Sequence, residues 1–147
     1  MRYKEGLKNL SIQMNPYDKK NSEPNFLLSC MLIDKNAMCK QVRGEKKVLY
    51  ISEQGKICLT EILETLAKYN VERCPIWKRM HEQLIFRINP FITKARNSKA
   101  KTNAYTEGRC EDVGMDLFEI GLRLPSDNKM TDEQQDIIIE IIKSCFM

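Results

Sequence analysis

The feature that most constrains the fold is a nearly continuous apolar run, NFLLSCMLID, at residues 25–34. A short apolar run of this kind is typical of a β-strand that is buried on both of its faces. A second short strand is predicted at residues 46–52 (KKVLYIS), which follow Gly44 and lead into the turn-forming sequence EQGK. The chain is therefore expected to contain a sheet that other elements cover.

Helices are predicted before and after these strands. The apolar residues of 1–13 recur at roughly helical spacing, which predicts a helix at the start of the chain. Thr60 can accept a hydrogen bond from a free backbone amide, so a second helix is predicted to begin there and to end at Asn70. The apolar face of this second helix is predicted to consist of Ile62, Leu63, Leu66 and Tyr69.

The clearest local signals lie near the end of the chain. Residues 116–127 (DLFEIGLRLPSD) predict a helical turn that ends at Gly121 and an extended segment that stops at Pro125. Thr131 and Gln134 have the spacing of a capping box, in which each side chain bonds the other residue's backbone amide. Strands and helices mixed in this way, with few βαβ units, predict an α+β domain. The final helix is predicted to pack through Ile138, Ile141, Ile142 and Cys145.

Length and composition exclude several classes of protein. A chain of 147 residues with 42% hydrophobic and 30% charged residues is ordinary for one globular domain. No apolar run approaches the ~18 residues of a membrane span, and the first residues do not have the pattern of a secretory signal. The six cysteines are scattered without a CxxC pair, so no metal site is predicted. Reduced thiols in the cytoplasm are favoured over an extracellular disulfide framework.

Basic residues are concentrated in residues 78–101, which contain seven lysines and arginines and a single acidic residue, Glu82. A positive stretch of this kind favours an anionic partner, so one hypothesis is a module that binds a polyanion or nucleic acid. The plainer interpretation is a solvated loop, because no RNA-binding signature accompanies the charges.

A candidate binding loop lies within VERCPIWKRMHEQLIF, residues 71–86, which contain the only tryptophan and the only histidine of the chain. A proline-led turn there places an aromatic ring, a cation and an amide close together, as recognition of a nucleotide or sugar phosphate requires. In the alternative interpretation, Trp77 and Met80 pack in the core while Lys78 and Arg79 face water. No Gly-rich phosphate loop, HExxH or GxSxG motif occurs, and no catalytic residue is predicted.

These segments resemble those of a known enzyme family. Residues 71–86 are similar to "ETRPLWKPMHLQPVF" and residues 25–34 to "NFWLSC-LID", both typical of the DegT/DnrJ/StrS family of pyridoxal-phosphate-dependent sugar aminotransferases. Residues 116–143 are similar to the family's closing segment, "LF-RGLCLPS" followed by a threonine-led final helix. Within the family, the chain most resembles the branch that makes amino sugars from nucleotide-linked keto sugars, as in bacillosamine-type pathways.

The resemblance implies an α+β fold, namely the small C-terminal domain of a fold-type I aminotransferase, with a short, mainly antiparallel sheet packed with helices. Residues 24–147 would form this domain, and residues 1–23 the tail of an interdomain helix and a loop. The family's Schiff-base lysine, and the aspartate that pairs with the pyridine nitrogen, belong to its large domain, and neither motif is found here. The chain is therefore expected to be a truncated or split enzyme that binds no pyridoxal phosphate alone and is inactive alone.

The resemblance also implies roles for single residues. Expected partners are a separate large aminotransferase domain, a second copy of the chain and a nucleotide-linked sugar, with neither a membrane nor, on this interpretation, nucleic acid. The residues expected to bind the sugar nucleotide are Trp77, Lys78, Met80, His81 and Gln83. The residues expected to be mainly structural are Gly121, Leu122, Leu124, Pro125 and Ser126. The family pattern is not kept at Leu27, Cys74, Arg79 and Arg123.

Overall fold

The computed structural model describes residues 2–43, 48–86, 91–92, 99–100 and 113–146. Its backbone groups into two compact units, which are described separately. The larger unit consists of Met1–Ile76 with Glu119–Met147, and the smaller unit is Trp77–Phe118. Among the helices of the described ranges, none combines the length and the apolar character that crossing a bilayer requires.

The described helices and strands are short, and most are joined by turns. Single turns of 3-10 helix lie at Lys35–Ala37, Met80–Glu82 and Leu84–Phe86. The helices are α1 (Arg2–Gly6), α2 (Leu59–Lys68), α3 (Val113–Ile120) and α4 (Asp132–Ser144). The strands are β1 (Ile12–Met14), β2 (Ser29–Ile33), β3 (Gln41–Arg43), β4 (Val48–Tyr50), β5 (Cys74–Pro75), β6 (Phe91–Ile92), β7 (Lys99–Ala100) and β8 (Gly121–Leu124).

The larger unit is built on a four-stranded antiparallel sheet in the order β1–β2–β8–β5. The central strands are β2 and β8, and Met31 lies opposite Leu122 in their register. Strand β1 pairs with the other side of β2, where Ile12 lies opposite Ile33 and Met14 opposite Met31. β3 and β4 form a separate antiparallel hairpin, and β6 pairs with β7 in the smaller unit.

The apolar run at residues 25–34 forms a strand that is buried on both faces, as predicted, but the strand is limited to Ser29–Ile33. Successive side chains of a strand point to opposite faces, and Met31, Leu32 and Ile33 are all buried. The preceding residues do not join the sheet, because Phe26 has a φ of 52° in the left-handed region. The strand predicted at residues 46–52 is present as β4.

One hydrophobic core joins the main sheet to α1, α2 and α4. Leu122 at the centre of the sheet has no exposed surface, and neither have Ile62 and Leu66 of α2 or Ile142 of α4. Burying side chains of this size contributes about 1.5–3 kcal/mol each, so these four form the best-protected part of the core. A short antiparallel sheet packed with helices is the α+β architecture that the sequence predicts.

The predicted helix over residues 1–13 is wrong beyond its first turns. α1 ends at Gly6, and residues 12–14 form β1 instead. Ile12 and Met14 both lie on the core side of β1, because an i, i+2 spacing puts two side chains on one face of a strand. α1 is held against α4 by Arg2, whose guanidinium donates to both carboxylate oxygens of Asp136 at 2.7 and 2.6 Å.

Helix α2 begins two residues earlier than predicted and buries a narrower face. Its N-cap is Cys58, whose sulfur accepts from the backbone N–H of Glu61 at 3.4 Å, and Thr60 lies inside the first turn. The predicted end is confirmed, since Asn70 has a φ of 56°. Tyr69 was expected on the apolar face but is 63% exposed. Thr is the stronger capping residue in general, so the sequence favoured it over a buried cysteine.

Helix α4 matches its prediction closely. Thr131 Oγ1 accepts from the Gln134 N–H at 3.2 Å, and the Gln134 side chain accepts from the Thr131 N–H at 2.9 Å. The capping box is therefore present with both of its hydrogen bonds. The predicted apolar residues Ile138, Ile141 and Ile142 are buried, and so is Ile139.

Candidate functional site

The candidate loop follows β5 in the sequence. Cys74 and Pro75 pair with Arg123 and Leu122 of β8, and the Ile76 N–H donates to the Gly121 carbonyl at 3.1 Å. This pairing fixes the backbone up to Ile76, where the larger unit ends. The expected sugar-binding residues all lie in the next seven positions, within the smaller unit.

A buried ion pair organises this loop. The Arg79 guanidinium pairs with the Glu82 carboxylate through two nitrogens, one of them Nε at 3.1 Å from Oε2. The two side chains are only 8% and 18% exposed. Between them the chain makes one turn of 3-10 helix, in which the Glu82 N–H donates to the Arg79 carbonyl at 3.2 Å. A charge-assisted pair with two contacts holds a short turn more firmly than a single neutral hydrogen bond.

Around this pair, the expected binding residues face outward. Trp77 is 66% exposed, Met80 is 60% exposed and Lys78 is exposed. Gln83 is half-buried, and its amide nitrogen lies 3.5 Å from both the Lys78 carbonyl oxygen and the Met80 sulfur. Lys78, Met80 and Gln83 are thus brought together. His81 lies in the same 3-10 turn, but its side chain is outside the described atoms.

The burial in the loop differs from the alternative interpretation made from sequence at three of its four residues. That interpretation placed Trp77 and Met80 in the core and Lys78 and Arg79 in water. Only Lys78, which is exposed, agrees with it. In the structure the two apolar side chains are at the surface and the arginine is buried. Burying an arginine is unfavourable unless an acidic partner compensates, and Glu82 fills that role. The pair was not predicted, although the i, i+3 spacing of Arg79 and Glu82 is visible in the sequence.

The residues expected to be structural do support the fold. Leu122 and Leu124 of β8 are buried in the core. The Pro125 carbonyl accepts from the Tyr3 hydroxyl at 3.0 Å, which connects the end of β8 to α1. The Ser126 hydroxyl lies 3.5 Å from the Leu27 carbonyl oxygen, next to the start of β2.

The described residues do not fit pyridoxal phosphate as a covalently held cofactor. A Schiff-base lysine needs a desolvated amine beside the cofactor, since an exposed amine stays protonated near neutral pH. Every lysine whose side chain is described is exposed except Lys143, which is partly buried and pairs with Glu140 at 2.7 Å.

Comparison with known proteins shows which proteins this chain is similar to. No family model matches the sequence. The curated protein "Putative pyridoxal phosphate-dependent aminotransferase EpsN" of Bacillus subtilis (strain 168) is 33% identical to it over 86 residues. The chain is homologous to one part of a pyridoxal-phosphate-dependent aminotransferase. The matched segment covers 58% of this chain and 19% of EpsN, so the chain spans only a small part of that relative.

Solved sugar aminotransferases share the fold. "Putative sugar aminotransferase Spr1654" from Streptococcus pneumoniae, in its PMP-form, matches with a TM-score of 0.61 and 18% identity over 99% of this chain and 28% of Spr1654. The aminotransferase TlmJ from Streptoalloteichus hindustanus matches with a TM-score of 0.58 and 10% identity over 97% of this chain and 28% of TlmJ. Identities this low establish the fold alone. The predicted α+β fold of an aminotransferase segment is thereby confirmed.

Proposed function

We propose that this chain is the part of a cytoplasmic, pyridoxal-phosphate-dependent sugar aminotransferase of the DegT/DnrJ/StrS type that binds the nucleotide-linked sugar. The observation that carries the proposal is the reversed burial in the loop after β5, where Trp77 and Met80 are exposed and Arg79 is buried. An exposed indole in a loop that a part-buried ion pair organises is positioned to stack on a ligand rather than to fill a core.

Each side chain of the loop suits one part of a nucleotide-linked sugar. The Trp77 indole can stack on a base, an interaction that contributes ~1–3 kcal/mol per base where it has been measured by alanine substitution. The exposed ammonium of Lys78 can pair with a phosphate as a point charge. The Gln83 amide both donates and accepts, so it can bond sugar hydroxyls. His81 is proposed as a fourth ligand residue because it lies in the same turn.

The transamination chemistry is assigned to a larger domain of the working enzyme. This chain spans 28% of the length of the solved sugar aminotransferases it matches, and its described lysines do not fit a Schiff base. Pyridoxal phosphate supplies an electron sink in such enzymes, and the lysine and carboxylate that it requires are placed in that domain. The domain is either a second chain or a further part of a longer polypeptide, and the 147 residues alone are proposed to be inactive.

Titration with uridine diphosphate and thymidine diphosphate tests the binding proposal directly. Trp77 is the only tryptophan, so its fluorescence reports a ligand that stacks on it. We expect saturable quenching by at least one of the two nucleotides. By calorimetry, Trp77→Ala is expected to weaken the binding of that nucleotide about tenfold or more, because the stacking contribution is lost.

The matched control is Tyr69→Ala. Tyr69 is an aromatic residue of similar exposure, 63% against 66% for Trp77, but it lies at the end of α2 in the larger unit. Its replacement is expected to leave nucleotide affinity unchanged. Equal loss of affinity in both variants, or the absence of any nucleotide binding, contradicts the proposed role of the loop.

A second test addresses the assignment of the chemistry. The chain is incubated with pyridoxal phosphate, reduced with borohydride and digested, and the peptides are searched for a pyridoxyl-lysine. We expect only low, scattered modification of exposed lysines. A stoichiometric adduct at one lysine, together with turnover of an amino donor, would refute the assignment of the cofactor to another domain.

The two other hypotheses made from sequence stay predictions. Of the basic residues in the 78–101 stretch, Arg87, Lys94, Arg96 and Lys101 lie outside the described residues. A polyanion-binding module would show nucleic-acid retention at low salt that disappears at moderate salt. Self-association would show as a mass that rises with concentration in light scattering.

A further inference from the structure

Two buried cysteines lie side by side in the larger unit. Met38 forms a parallel bridge with Ile57, just before α2. The Ile57 N–H donates to the Ala37 carbonyl at 3.0 Å, and the Cys39 N–H donates to the Ile57 carbonyl at 3.0 Å. In a parallel bridge of this form, the residues that follow the bridged pair are also neighbours and point to the same side. Those residues are Cys39 and Cys58, which are 4% and 0% exposed.

This register meets the geometric requirement for a disulfide. Neighbouring strands are about 4.8 Å apart, and bridged cysteines usually have Cα atoms about 4.4–6.8 Å apart. The side chains of Cys39 and Cys58 also interact electrostatically. Burial raises the pKa of the Cys58 thiol to about 11, and the adjacent Cys39 thiol adds to the increase. The Cys58 thiol is therefore protonated near neutral pH, which makes it slow to react but leaves it correctly placed.

Another pair of cysteines in the same unit does not meet the requirement. Cys30 and Cys74 both lie opposite Arg123, on the two strands that flank β8. They are therefore two strand spacings apart, about 9–10 Å, which exceeds the span of a disulfide. All the described cysteines are free thiols.

We propose that Cys39 and Cys58 form a reversible oxidation site that closes to an intramolecular disulfide. The oxidant is a small disulfide such as oxidised glutathione. The Cys39 thiolate attacks one sulfur of the oxidant, which releases one thiol and leaves a mixed disulfide on Cys39. The Cys58 thiolate then attacks the Cys39 sulfur and releases the second thiol. The two cysteines lose two electrons and two protons, and the small disulfide is reduced to two thiols.

Closing this bond ties together a specific part of the fold. A disulfide between Cys39 and Cys58 would close a loop that contains the β3–β4 hairpin. Its second cysteine, Cys58, is the N-cap of α2. Within that loop, the Ile51 N–H donates to the Lys40 carbonyl at 3.0 Å, so the base of the hairpin already lies close to Cys39. A disulfide across a loop of about 20 residues restricts the unfolded chain and is expected to lower the unfolding equilibrium constant about 100-fold.

The test is oxidation of the reduced, folded chain in glutathione buffers, followed by alkylation and tryptic digestion without reduction. We expect peptide 36–40 (NAMCK) to be linked to peptide 57–68 (ICLTEILETLAK), and the link to disappear after treatment with dithiothreitol. The oxidised chain should also unfold at a higher urea concentration than the reduced chain. This peptide analysis uses the chain without any substitution, so its result does not depend on whether a variant folds.

Two variants sharpen the result. Cys58→Ser should abolish both the link and the shift in urea midpoint, whereas Cys74→Ser should keep both. The proposal is overturned if Cys39 and Cys58 are both recovered as alkylated thiols after the partly buried cysteines have been oxidised. A link that forms only when the chain is first unfolded in urea overturns it as well, because the folded register would then have no part in it.

Discussion

At the scale of single residues, Arg79 departs from the sequences that this chain resembles but has a backbone conformation compatible with theirs. The resembling sequences have proline at this position, and proline fixes φ near −65°. Arg79 has a φ of −58°, which proline could adopt, and its side chain secures the turn through Glu82. Sequence comparison counts this position as a mismatch, although the φ of Arg79 is one that proline could also adopt.

Replacing Arg79 tests this view of the loop. Arg79→Ala removes the pair with Glu82, whose side chain is only 18% exposed, and should lower the free energy of unfolding by about 1–3 kcal/mol. Arg79→Pro should recover part of that loss, since the native φ suits proline. Urea unfolding followed by Trp77 fluorescence measures both. An Arg79→Pro variant less stable than Arg79→Ala would show that the backbone conformation is not what the arginine preserves.

At the scale of elements, features that are set by residues within one helical turn could be predicted from the sequence. Features that depend on residues distant in the chain could not. The capping box of α4 and the end of α2 at Asn70 are set by residues within one turn. The N-cap of α2 was missed because Cys58 is placed by its buried surroundings rather than by capping preference. A helix was predicted where β1 lies because the spacing of the apolar residues fits both a helix and a strand. Only the pairing of β1 with β2 shows that this segment is a strand.

The two threonines at helix starts provide a matched pair of substitutions. Thr131→Ala removes the side-chain acceptor for the Gln134 N–H and should cost about 1 kcal/mol of stability. Thr60→Ala, within the first turn of α2, removes no N-cap and should change stability by less than about 0.5 kcal/mol. Both are measured by urea unfolding. Equal losses would contradict the assignment of the α2 cap to Cys58.

At the scale of the whole molecule, the order of the sheet could not be derived from periodicity. Alternation and apolar runs indicate where strands lie, but not which strands pair. The central pairing of β2 with β8 and the edge position of β1 follow from the shared core. The resemblance to aminotransferases predicted a short, mainly antiparallel sheet but not the order of its strands, and the likeness to solved structures confirms the fold.

Alkaline pH should weaken the connection between α1 and the end of β8. Burial raises the pKa of Tyr3 from 10.0 to about 12, so folding favours the neutral phenol that donates to the Pro125 carbonyl. This contribution is complete below about pH 10 and is lost as the pH rises towards about 12. The free energy of unfolding should fall by about 1–2 kcal/mol more in the native sequence than in Tyr3→Phe, which cannot ionise there. Parallel pH curves for the two proteins would rule out this role for Tyr3.

The pairing of β2 with β8 also sets the order of events during synthesis. Residues 29–33 must wait for residues 121–124 to leave the ribosome before either strand has its central partner. Closing so long a loop carries an entropic penalty that helices formed from neighbouring residues do not face. Until then β2 can pair only with β1, and its apolar side chains lack the neighbours that β8 will provide in the finished sheet.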